Sequence, residues 1–270
     1  MSTVLRLGAS GAEVRQLQEL LNKTGHFAIA LDGEFGKLTE VAVKTFQTRY
    51  GIVPDGVVGP VTLNALQGGA GYKNAAVTAV VGNKKLTDAD FVKAAQKLGV
   101  SVAHVRAVCT VEAGSTGFLS DGRPKILFER HYFYKLCPAA KRVGAPLDIC
   151  NPTSGGYVGN SAEWTRLERA MLFDTAAALE SASWGLFQIM GSHWKRLGYT
   201  SVMDMVARMK QSEGEQLDAF VRFVLTDKKL HNALKASQWA TFARIYNGPA
   251  YAKNQYDIKM AIAFKKWSKV

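Results

Sequence analysis

Glu112 is the residue of this sequence best placed for proton chemistry. It ends a run from His104 to Glu112 in which Val105, Val108 and Cys109 share one helical face, and Ala113-Gly114-Ser115 stops the run directly after it. A carboxyl group beside Val108 and Val111 loses hydration when it ionises, so its pKa is expected to rise and leave it protonated near neutrality. That is the property of a general acid, which gives its proton to a leaving oxygen. The plainer alternative is a solvent-facing glutamate at a helix terminus. After it, Gly117-Phe118-Leu119 and Lys125-Ile126-Leu127-Phe128 flank Ser120-Asp121-Gly122-Arg123, an Asp-Gly turn between apolar runs that predicts a hairpin. His131 is a further titratable group, for which a capping or core role is simpler than that of base or ligand. Cys109, Cys137 and Cys150 are odd in number and match no zinc spacing, so neither a disulfide framework nor a metal site is expected.

These groups need a scaffold, and the helical signals supply one. Thr87-Asp88-Ala89-Asp90 reads as a helix N-terminus, followed by Phe91, Ala94, Ala95 and Leu98 at helical spacing and stopped at Gly99. A long amphipathic helix with Leu167, Ala170, Met171 and Leu172 is expected to run on to Glu180. In the first 68 residues, Leu31-Asp32-Gly33-Glu34-Phe35-Gly36 returns as Pro54-Asp55-Gly56-Val57-Val58-Gly59, each copy a turn leading into a helix. Glycine gives these turns their positive φ, and the aspartate is expected to cap the helix that follows. With an earlier helix carrying Val14, Leu17, Leu20 and Leu21, they make a three-helix bundle. The Gly- and Ala-rich stretch from Gln67 to Gly82 sets the expected domains: 1–68, a linker over 69–84, and 85–270.

With 270 residues, 47% of them apolar, the chain is globular rather than disordered. Its first residues lack the layout of a signal peptide and no stretch suits a membrane span, so it is expected to be made as a soluble cytoplasmic protein. The formal charge of +12 suits an anionic polymer or surface, or else nucleic acid, but it is scattered except for a cluster from Lys259 to Lys269.

LRLGASGAEVRQLQELLN and LDGEFGKLTEVAVKTFQTRYGIVPDGVVGPVTLNAL together resemble the peptidoglycan-binding domain of cell-wall hydrolases. The helix, glutamate and hairpin are similar to a lysozyme arrangement. Ser183-Trp184-Gly185-Leu186-Phe187-Gln188-Ile189-Met190-Gly191 resembles the Gly-Leu-Met-Gln signature of goose-type lysozymes and lytic transglycosylases, with Phe187 for the usual Met. Ala243-Arg244-Ile245-Tyr246-Asn247-Gly248 resembles their Tyr-Asn segment. The nearest resemblance is to the modular N-acetylmuramidases of phage endolysins, through Leu127-Phe128-Glu129-Arg130-His131, Ser183-Trp184-Gly185 and Tyr246-Asn247-Gly248-Pro249.

The resemblance implies a mainly α protein, with a three-helix peptidoglycan-binding bundle and a lysozyme-like α-helical catalytic domain bearing a small β-hairpin. It implies hydrolysis of the β-1,4 bond between N-acetylmuramic acid and N-acetylglucosamine, with Glu112 as the acid and Ser183, Gln188, Tyr246 and Asn247 positioning the sugar and the acid. Trp184 or Phe187 could stack on a sugar, although core packing explains both more simply. Glycoside hydrolysis commonly uses a second carboxylate. Glu129 is preferred, because folding the hairpin at Asp121-Gly122 lays residue 129 roughly opposite residue 114; its alternative is a salt bridge with Arg130 or another base. Asp121 is explained by its turn, and Glu180, though it imitates a Glu-Ser pair, lies too close to the Gly-Leu-Phe-Gln segment. Neither cofactor nor metal is expected. The expected partner is bacterial peptidoglycan, joined by an anionic outer-membrane surface if the basic terminal helix does more than pack; no nucleic-acid motif is present and a monomer is expected. The implied setting is the host cytoplasm, with release to the wall at lysis. Two rival functions are a lytic transglycosylase leaving 1,6-anhydromuramic acid ends and a non-catalytic wall-binding protein.

Overall fold

The computed structural model describes residues 4–25, 27, 29–50, 52, 54–68, 84–113 and 116–269. It forms two compact units, one of residues 1–82 with 128–178 and one of 83–127 with 179–270. Apart from Lys84, the linker expected over 69–84 lies outside the described residues.

In the first unit, the period of the apolar residues yields the helices Ala12–Lys23, Lys37–Arg49 and Pro60–Leu66. Val14, Leu17 and Leu21 from the first meet Ala42, Val43 and Phe46 from the second and Ala65 and Leu66 from the third around Phe35. The two Asp-Gly turns repeat in atomic detail. Gln18 Oε1 accepts from Gly33 N at 2.9 Å while its Nε2 donates to Asp32 Oδ1 at 2.7 Å and to Glu34 O at 3.1 Å. Gln47 does the same with Gly56 N (2.9 Å), Asp55 Oδ1 (2.7 Å) and Val57 O (2.9 Å). Gly33 and Gly56 have φ of 74° and 76°, as the turn requires. The aspartates, however, do not cap the next helices. Each carboxylate accepts from the backbone N–H two residues on, Glu34 or Val57, and the N-caps are Gly36 and Gly59 without side-chain bonds.

The 128–178 segment carries the helices Arg130–Leu136 and Asn160–Met171. The helix expected to continue to Glu180 breaks after Met171 and restarts as Thr175–Glu180, because Asp174 Oδ1 accepts from Ala177 N at 2.9 Å and starts a new first turn. Glu163, fully buried, accepts from Phe128 N, Val158 N and Gly159 N and pairs with buried Arg166 at 2.8 Å. Burial works against this charge, but the three N–H donors with the Arg166 guanidinium outweigh it and hold the carboxyl below its ordinary range.

In the second unit, Thr87 and Asp90 form a capping box on the Asp88–Leu98 helix, which Gly99 closes at a φ of 61°. The Val102–Glu112 helix follows. The hairpin forms about Asp121-Gly122, with Leu119 N donating to Arg123 O and Lys125 N to Gly117 O, both at 2.8 Å. It leads into a three-stranded sheet ordered Ile126–Phe128, Ala182–Trp184, Ile189–Met190, whose last two strands pair antiparallel with Trp184 opposite Ile189. The helices Val202–Met209, Glu213–Leu225, Lys228–Lys235, Trp239–Asn247 and Tyr256–Trp267 complete the unit. The last packs along Val102–Glu112, burying Met260 and Ala263. The fold is mainly α with a small sheet, and among the described residues no helix is long and apolar enough to cross a membrane. Cys109, Cys137 and Cys150 are buried free thiols.

Candidate active site

Glu112 occupies the last position of its helix, half-buried beneath the terminus of the Trp239–Asn247 helix. Asn247 Nδ2 donates to Glu112 Oε2 at 3.0 Å, while the other oxygen, Oε1, is buried and has no hydrogen-bond partner among the described residues. Burial pushes the carboxyl above its ordinary range, and the Asn247 bond opposes this without cancelling it. One oxygen is therefore tethered and the other is dehydrated, an arrangement that favours a retained, transferable proton.

Tyr246, the neighbour of Asn247, stacks on Phe242 and meets Phe220 and Phe223 edge-on. Its hydroxyl donates to Phe187 O at 3.2 Å, which ties the helix end to the 183–188 segment. Burial, with the nearby Glu112 carboxyl, raises the Tyr246 hydroxyl far above its usual range and keeps it a neutral donor. Gln188 adopts the left-handed region at a φ of 50°. Its Oε1 accepts from Ser183 Oγ at 2.8 Å and its Nε2 donates to Gly185 O at 2.8 Å. Trp184 is wholly buried, with Nε1 donating to Leu179 O, and Phe187 is buried and stacked on Phe220, so both belong to the core.

The structure thus joins Glu112 to Asn247, Tyr246 to Phe187 and Ser183 to Gln188. Glu129 lies in the first unit as N-cap of the Arg130–Leu136 helix. Its carboxylate accepts from Tyr157 Oη at 2.8 Å and faces His131 Nδ1 at 3.2 Å. Asp121 serves its turn, accepting from Arg123 N. Glu180 accepts from Trp194 Nε1 at 2.6 Å. Among the described residues no group of three His, Cys, Asp or Glu side chains is arranged to hold a metal ion. Sequence reasoning passed over Glu213 and Gln216, buried on the first turn of their helix. An acidic first turn is an ordinary helix signal, so nothing in the sequence marks them as turned inward.

A family of peptidoglycan binding domains matches residues 10–66. Zinc D-Ala-D-Ala carboxypeptidase of Streptomyces albus G is 45% identical over 67 residues, 24% of this chain and 26% of that protein. N-acetylmuramoyl-L-alanine amidase CwlL of Bacillus licheniformis is 42% identical over 67 residues, 24% of this chain and 18% of that protein. The chain spans less than half the length of the curated relatives it matches. The crystal structure of Burkholderia AP3 phage endolysin is similar over 99% of this chain and 98% of that one, at 46% identity and a TM-score of 0.67. The glutamate and the Tyr-Asn helix end that tethers it both fall within residues 101–268, the stretch matched by the N-acetylmuramidase family, a family of glycoside hydrolases, and it is to this family that the chain belongs.

Proposed function

We propose that this protein hydrolyses the β-1,4 bond between N-acetylmuramic acid and N-acetylglucosamine in bacterial peptidoglycan, held to the wall by its three-helix bundle. The observation that carries the reading is Glu112, with one oxygen tethered by Asn247 and the other buried without a partner among the described residues. Burial raises its pKa and so favours the protonated form that a general acid needs. The bond from C1 of N-acetylmuramic acid to O4 of N-acetylglucosamine breaks as Glu112 protonates that oxygen, and water adds its hydroxyl at C1 to leave a reducing end, its other proton returning the carboxylate of Glu112 to the acid form. Asn247 positions the acid through its bond to Glu112, and Ser183, Gln188 and Tyr246 with it position the sugar. For the second carboxylate the reading keeps Glu129, which the Tyr157 hydroxyl orients. Native rates in a Glu129→Gln variant remove it from the mechanism.

Similarity to a phage endolysin over almost the whole chain supports a lytic role, with accumulation in the host cytoplasm and release to the wall at lysis. The protein works as a monomer. An anionic outer-membrane surface is its second partner, met by Lys259, Lys265 and Lys266, which lie exposed with Ile258 and Ile262.

Mass spectrometry of soluble fragments from purified peptidoglycan tests the reaction. Reducing muramic acid ends are expected. Ends lighter by one water convert the reading to a lytic transglycosylase, and no fragments at all leave a wall-binding protein.

A further inference from the structure

Glu213 and Gln216 project inward from the first turn of the Glu213–Leu225 helix, 4% and 1% exposed. Glu213 Oε1 accepts from Gly117 N at 2.9 Å and Thr116 Oγ1 at 3.1 Å, and its Oε2 from Leu86 N at 3.1 Å. Gln216 Oε1 accepts from Leu186 N at 2.7 Å while its Nε2 donates to Met209 O at 2.9 Å. The backbone closes the circuit between them. Lys125 N donates to Gly117 O, and Gly185 N to Lys125 O, each at 2.8 Å. Glu213, Gly117, Lys125, Gly185-Leu186 and Gln216 form a ring that one helical turn completes. Gly117 and Gly185 have no side chain because a Cβ at either would overlap the Gln216 side chain, which its two hydrogen bonds prevent from swinging away.

Both halves of the candidate site leave this ring within a few residues. Gly117 follows Glu112 by five positions, and Gln188 follows Leu186 by two and returns its Nε2 to Gly185 O. We propose that Glu213 and Gln216 are positioning residues for catalysis, and that their buried ring sets the Glu112 helix end and the Gln188 amide in mutual register. A closed circuit of directional bonds gives way only when several break together, so it suppresses the small displacements that proton transfer tolerates least.

The inference rests on Glu112 being the acid, and the test separates the two. The full-length chain carrying Gln216→Met, which keeps the side chain's bulk but loses both bonds, is assayed on solubilised glycan fragments across pH, at a temperature where circular dichroism shows it folded. Glu213→Leu and Glu213→Gln are assayed beside it. The expected result is a kcat about 10- to 100-fold lower for Gln216→Met and Glu213→Leu, with KM changed less than about threefold. The alkaline limb of the rate profile moves to lower pH as water reaches Glu112. Glu213→Gln keeps an acceptor for Gly117 N but loses the ion pair with Lys85 and turns its amide NH2 toward Leu86 N, so its kcat falls less than that of Glu213→Leu. Thr116→Val, which at a half-buried position loses the hydroxyl's bond to Glu213 and its acceptor for Phe118 N, shows a smaller fall and the same direction of limb shift, and it carries the test if the others do not fold. Native kcat and an unmoved limb in the folded variants overturn the inference and leave the ring a stabilising strut. Native rates in Glu112→Gln instead overturn the assignment of the acid.

Discussion

Replacing Glu112 with glutamine removes a proton and little else. The amide oxygen can occupy the Oε2 position and still accept from Asn247 Nδ2, and the amide nitrogen falls where Oε1 has no partner among the described residues to lose. Shape and tether survive, so the loss of rate measures proton donation. General acid catalysis contributes about 100- to 10,000-fold, which is about 3–5.5 kcal/mol of barrier. The assay is initial release of reducing ends at saturating peptidoglycan. Stability should move the other way. Burial raises the Glu112 pKa in the folded chain above the ordinary 4.5. Its contribution to stability is then complete below 4.5 and is lost as pH rises through the folded value. Glutamine does not titrate, so the variant is expected to be more stable than the native chain at neutral pH, with the gap closing well below 4.5. Urea unfolding at both pH values reads this. A variant rate within tenfold of native, or stability differences that do not depend on pH, would refute the reasoning.

Three further perturbations probe the bonds around that acid and beneath the fold. Asn247→Leu deletes the donor that favours ionised Glu112, so the alkaline limb should move to higher pH while kcat falls by about tenfold, the lower end for a hydrogen bond to a charged group; an unmoved limb sinks the claim. Glu163→Gln leaves Arg166 buried without its counter-charge and should cost ~3–5 kcal/mol in urea unfolding. Because the folded Glu163 pKa lies below the ordinary 4.5, its stabilisation is present above 4.5 and lost as pH falls through the folded value, so native and variant should converge in acid. Gln47→Leu removes the acceptor for Gly56 N at a cost of about 1–3 kcal/mol. Hydrogen exchange should show the Gly56 amide losing protection while Gly33, held by Gln18, keeps its own; equal protection at Gly56 counts against the clasp.

The elements legible in the sequence are those whose cause is local. The bundle helices follow from apolar period, the Asp88–Leu98 helix from its capping box, and the hairpin from Asp121-Gly122. Gln18 and Gln47 escaped because an apolar count treats a glutamine as surface, whereas both are buried to satisfy turns 8 to 16 residues away. The break before Thr175 escaped because Leu172 and Phe173 prolong the apolar pattern through the very position where Asp174 starts a new helix. Resemblance brought Glu112 and Asn247 into one list, but the 135 residues between them leave no periodic signal of the bond that joins them. The inward turn of Glu213 and Gln216 is likewise a tertiary fact, since the glycines that make room for Gln216 lie about 30 and 100 residues upstream.

Whether a buried glutamate favours its charged or its neutral form depends on the number of donors the fold aims at it. Glu163 and Glu112 both lose water on folding, and for both burial favours the neutral form. Glu163 recovers the loss from three backbone N–H groups and a guanidinium, so its charge is retained and spent on holding Phe128, Val158 and Gly159. Among the described residues Glu112 receives one side-chain donor at Oε2 and none at its buried Oε1, so burial prevails and its carboxyl stays above the ordinary range. Completing the set of donors around Glu112 would stabilise its carboxylate and turn it into a strut like Glu163. The same helix-borne residue serves as scaffold or as acid according to how incompletely it is solvated by its own protein. That incompleteness is a destabilising feature, and the proposed proton donation to the glycosidic oxygen depends on it.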